Sequence, residues 1–162
     1  MKLRIILLLM ALLLLLPAAA CRAESPLVEK PLEEIMDTLY ERAAEYGFAP
    51  TWNLELVDIP ITPDKNDWYF GAEIDYAEAL ASEYIMMPPA YSVCLVRVRS
   101  GDDAAAIAET IRANADPMKW VCTGVSKVEV LWTGDLVLLI MADGTNADAL
   151  ADAFEALFEM RQ

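Results

Sequence analysis

The chain contains no histidine. That absence removes Ser-His and Cys-His nucleophilic pairs, histidine zinc ligands and the usual proton shuttle near neutral pH. Its three cysteines, Cys21, Cys94 and Cys122, never stand in C-x-x-C spacing, so neither a zinc knuckle nor a thioredoxin-like centre is indicated. No G-x-S-x-G, P-loop or G-x-G-x-x-G occurs anywhere, and with them go the common hydrolase, nucleotide and dinucleotide signatures. Positive charge is scarce too, with 12 Lys and Arg against 26 Asp and Glu. Nucleic acid is therefore excluded as a partner, because binding it depends on basic side chains neutralising phosphates.

One long apolar run is present, and it lies at the start. Lys2 and Arg4 precede Ile5 to Leu16, an uncharged stretch that Pro17 breaks before Ala18-Ala19-Ala20-Cys21. A positive n-region, an apolar h-region and small residues at the exit form an export signal. A permanent span fits less well, since crossing about 30 Å of hydrocarbon takes roughly 20 apolar residues. Ala18-x-Ala20 suits an ordinary signal peptidase, whereas small residues directly before a cysteine are similar to the lipobox of bacterial lipoproteins. The second reading is favoured, with Cys21 as the lipidation site. The expected boundaries are residues 1–20 as signal peptide, 21–30 as lipidated cysteine and tether, and 31–162 as one globular domain.

Loss of residues 1–20 takes Lys2 and Arg4 away and leaves ten basic against 26 acidic residues, a formal charge of −16. A domain so acidic is repelled by anionic lipid surfaces. Contact with the membrane is thus expected through the lipid anchor only.

Apolar spacing organises the remainder. Leu32, Ile35, Met36, Leu39, Tyr40 and Ala43 recur at helical intervals between Pro31 and Gly47, which predicts an amphipathic helix. NLELVDI, closed by Pro60, reads as a short strand, and residues 62 to 83 as loop with one or two helical turns. YIMM and YSVCLVRVR, separated by Pro88-Pro89-Ala90, read as antiparallel neighbours, with Cys94, Val96 and Val98 on one face and Val93 and Leu95 on the other. Ser100 to Asp103 opens a helix ending before Pro117. VSKVEVLW and DLVLLIM flank Thr133-Gly134 as a hairpin, and the second strand is apolar on both faces, as in a covered central strand. Thr145-x-x-Asp148 caps a last helix whose inner face carries Leu150, Phe154, Leu157 and Phe158. This order predicts an α+β fold, a mainly antiparallel sheet of four to five strands with helices packed on one face.

The lipobox, the PLEEIMDTLYERA helix, the EYIMMPPAYSVCLVRV pair of strands, the GDLVLLIM strand and the ADALADAFEALF helix together resemble a family of short, uncharacterised lipoproteins of Gram-positive anaerobes, classed as a domain of unknown function. The resemblance implies this fold and this anchor. It brings no catalytic residue.

Chemistry-bearing candidates are few. Trp52, Trp68, Tyr69 and Phe70 could line a recognition surface, although aromatics in a small domain usually belong to the core. Carboxylates are plentiful, but catalysis by a facing pair needs one of them buried, and most lie on solvated helix faces. Asp143 to Asp148 lacks the order and distal glutamate of a calcium loop, and capping explains it. No cofactor or metal is expected. Cys94 and Cys122 form an even pair that an exported chain could bridge, yet Cys94 lies mid-strand, which favours two buried thiols. The expected function is a non-enzymatic binding or interaction module, lipid-anchored on the extracytoplasmic face of the cell membrane. A carboxylate hydrolase of envelope glycans and a calcium-responsive structural module are the alternatives.

Overall fold

Strand segments that are apolar on both sides need cover on both sides, and this requirement sets the architecture. The computed structural model describes residues 26–51, 54–86 and 89–159. Five strands form one antiparallel sheet: β1 (Leu56–Pro60), β2 (Glu78–Tyr84), β3 (Ser92–Arg97), β4 (Lys127–Thr133) and β5 (Leu136–Ala142), in the order β1-β2-β3-β5-β4. Four helices accompany it: α1 (Leu32–Glu45), the short α2 (Asn66–Phe70), α3 (Ala104–Asn114) and α4 (Gly144–Leu157). β3 and β4 both run antiparallel to β5, so they are parallel to each other. The segment through α3 is the crossover between them, with β5 inserted in the gap.

The α+β class and the antiparallel sheet are those expected. The helices, however, cover both faces rather than one. Every residue of β5 is buried. Leu136, Leu138 and Ile140 join Val93, Leu95 and Leu80 beneath α1 and α4, while Val137, Leu139 and Met141 join Cys94, Val96 and Ala81 beneath α2 and α3. Burying each large apolar side chain contributes roughly 1.5–3 kcal/mol, and a bare second face would forfeit half of that from β5. Gly71 makes the second layer possible, because it ends α2 in a left-handed conformation at φ +67, and a Cβ there would stand 2.0 Å from the Asn114 carbonyl oxygen.

Three local expectations are corrected. The partner of β3 is EALASEY at 78–84, whereas Ile85 and Met86 of YIMM are exposed beyond its end. Those two residues lie past the last paired positions, since β1 begins at Leu56 opposite Tyr84 and β3 begins at Ser92. The cap of α4 is Asp143, whose carboxylate accepts from Asn146 N, rather than Thr145. The cap of α3 is likewise Asp103, which accepts from Ala105 N and Ala106 N, rather than Ser100 at the start of the expected capping box.

The sheet has two ends of different character. At one end, Arg97 closes β3 and reaches the chain entering the domain: its Nη1 donates to Val28 O at 2.5 Å and Nη2 to Lys30 O at 2.6 Å, while Nε meets Glu78 Oε1 at 2.7 Å. Residues 27–30, read as tether, are thus clasped to the sheet, with Leu27–Glu29 in a 3₁₀ turn. α1 then climbs to the other end, where Ala49 exchanges two hydrogen bonds with the Asn146 side chain in the first turn of α4. Seven-residue strands separate these ends by roughly 20 Å.

Candidate functional site

At the end remote from the Arg97 clasp, four segments converge: the exit of α1, the β2–β3 connection, the loop leading into β4 and the start of α4. They enclose a cavity of about 360 Å³ lined by Thr51, Tyr84, Pro89, Ala90, Tyr91, Thr123, Gly124, Val125, Ser126 and Asp143. The volume lies within the range of small-ligand pockets. Tyr84 and Tyr91 form its buried aromatic side, with ring centroids 4.9 Å apart. Tyr84 Oη accepts from Thr51 N at 2.8 Å, which leaves its own proton free to be donated. Tyr91 Oη pairs with Tyr40 Oη at 3.0 Å. Burial pushes both of those phenols well above their ordinary pKa, so both stay neutral donors.

Among the described residues, Asp143 is the only charged one in the lining, and it stands exposed at the mouth. Capping occupies one acceptor site on each of its oxygens: Oδ1 takes Asn146 N at 3.0 Å and Oδ2 takes Asn146 Nδ2 at 2.8 Å. Each oxygen retains further lone pairs. The neighbouring cation, Lys127, is already engaged by Glu129 at 2.6 Å and by Asp148.

The loop that forms one wall is held by Lys119. Its ammonium lies 3.4 Å from Glu83 Oε1 and about 5 Å from the ring centroids of Trp68, Tyr69 and Trp120, at 5.2, 4.8 and 4.8 Å. A desolvated cation against three rings and a carboxylate is a strong local tie. Trp68 is half-exposed on the rim of this cage, whereas Tyr69 and Phe70 are buried. Of the four aromatics proposed as a surface, Tyr69 and Phe70 are therefore core, and Trp52 lies outside the described residues.

Cys21 also lies outside the described residues. The other two cysteines are free, but they are not both buried. Cys94 is fully enclosed, and burial pushes its thiol up to about 11 against the opposing pull of Lys119 and Ser92. Cys122 is exposed and holds φ at +65, a left-handed conformation that costs a non-glycine residue about 1–2 kcal/mol. In a Cys21→Ala chain, one thiol should react with maleimide in the native state and a second only after unfolding. A mass two hydrogens lower, with no reactive thiol, would contradict this.

Asp143 to Asp148 is a helix cap, with Asp148 turned to Lys127. Among the described residues, no group of three or more Asp, Glu or Cys could hold a metal ion. Ser82 Oγ is buried without an aligned partner, beside Asp58 across the β1–β2 pair and close to Tyr40. Sequence reasoning missed the pocket because Thr51, Tyr84, Ser126 and Asp143 share no motif and meet only through the topology. Compared with protein-family models, curated proteins and solved structures, the chain matches none.

Proposed function

We propose that this chain is an exported, lipid-anchored binding module on the extracytoplasmic face of the cell membrane, carrying a small-ligand pocket at the end of its sheet remote from the anchor. The observation that carries this reading is the polarity of the sheet. Arg97 fixes residues 28 and 30, shortly after Cys21, at one end, and the pocket opens at the other. A chain tethered in this way presents Thr123 to Ser126 away from the bilayer. The binding reading is favoured over glycan hydrolysis because acid–base cleavage needs two facing carboxylates, and among the described residues Asp143 is the single carboxylate in the lining.

Photo-crosslinking in intact cells tests the proposal. A benzoylphenylalanine in place of Ser126 should give a discrete adduct, and the same group in place of Asp102, at the clasped end, should give none. Adducts of equal yield at both positions, or at Asp102 alone, would overturn the assignment of the recognition end.

A further inference from the structure

We infer that the pocket takes a primary alkylammonium group, with its charge on Asp143 and its apolar stem against Ala90, Tyr91 and Val125. This rests on the reading of that cavity as the binding site and adds the chemistry of its ligand. Among the described residues, the lining contains one carboxylate and no lysine or arginine. An anionic ligand would meet Asp143 with nothing to neutralise it, and the acidic surface of the domain adds to the repulsion. A neutral polyol can bond to the hydroxyls of Thr51, Thr123 and Ser126, but it cannot match the charge-assisted hydrogen bond that an ammonium makes with Asp143. The cap leaves lone pairs on both Asp143 oxygens. Lys127, the nearest cation in sequence, is held by Glu129 and Asp148 and does not compete.

The shape agrees with the charge. Asp143 is exposed at the mouth, whereas Tyr84 and Tyr91 are buried within. A ligand that fits this order has a cationic head at the opening and a short hydrocarbon stem inside. A free alkylamine has that form, whereas a lysine in a peptide, whose stem ends in the backbone, would have to enter in the reverse order.

The test follows backbone amide signals of Thr51, Tyr84, Ser126 and Asn146 by NMR in the full chain in detergent micelles. The probes are n-butylammonium, acetyl-Gly-Lys-Gly-amide, butyrate and glucose. The first should move these signals saturably and butyrate should not. The peptide should bind more weakly than the amine or not at all, and tighter binding of the peptide would overturn the placement of the cationic head at the mouth. Asp143→Asn removes the charge while asparagine remains a competent helix cap, so the variant should keep native signal dispersion and bind the ammonium at least tenfold more weakly. Undiminished binding to Asp143→Asn, or equal binding of butyrate, overturns the proposal. Glucose moving these signals while ammonium leaves them unmoved overturns the ligand class but preserves the pocket. If no probe moves them, the ammonium class is refuted, and crosslinking at Ser126 decides the pocket separately.

Discussion

Leu138→Ala and Leu139→Ala should each lower the free energy of unfolding by about 2–5 kcal/mol, the usual cost of removing a buried leucine and leaving a cavity. The two side chains are adjacent in β5 and point in opposite directions, Leu138 toward α1 and α4 and Leu139 toward α3. Both are fully buried. A domain of this size is stable by only 5–15 kcal/mol in all, so either change removes a large fraction of the total. Denaturant midpoints measure the pair directly. Comparable losses are the signature of a sheet covered on both sides, and a loss below about 1 kcal/mol at either residue would mean that its face is poorly packed.

The same strand shows how far the sequence could be read. DLVLLIM has no polar face, and the alternation of β3 places Cys94, Val96 and Val98 opposite Val93 and Leu95, as found. Both patterns already implied cover on two sides, and it was the layer preference of antiparallel sheets that suggested one. α1 was legible because Leu32, Ile35, Met36, Leu39 and Ala43 keep helical spacing and are all buried. β2 was not. EALASEY is rich in residues that favour helices, and it becomes a strand because Ala79, Ala81, Leu80 and Tyr84 find cover on opposite faces between β1 and β3. YIMM misled for the converse reason: Tyr84 ends β2, and the apolar Ile85 and Met86 lie beyond the paired register and are exposed.

The pocket left no trace in local sequence. Its hydroxyls come from residues 51, 84, 123 and 126, its carboxylate from 143, and each has an ordinary local explanation as a turn, strand end or cap. The Lys119 cage was equally hidden, since Trp68 and Tyr69 arrive from α2 and Glu83 from β2. In sequence Asp143 reads only as the start of a calcium-loop-like stretch, with the cap assigned to Thr145, and it is Asp143 that caps the helix. Convergence of distant segments, rather than spacing, builds the candidate site.

On the proposed reading, membrane attachment should depend on Cys21. The excess of 26 acidic over 12 basic residues opposes adsorption to an anionic leaflet. Acyl chains contribute about 0.8 kcal/mol per buried CH₂, and two of them suffice for stable anchoring where one gives marginal binding. The decisive measurement is the distribution of Cys21→Ala between membrane, medium and precursor, read by fractionation together with the intact mass of each form. The unaltered chain is expected in the membrane fraction, beginning at a diacylglyceryl-modified Cys21. Its Cys21→Ala counterpart is expected in the medium or as an uncleaved precursor. A processed Cys21→Ala chain that stays with the membrane in the original proportion, or an unaltered chain whose Cys21 carries no lipid, would contradict the account.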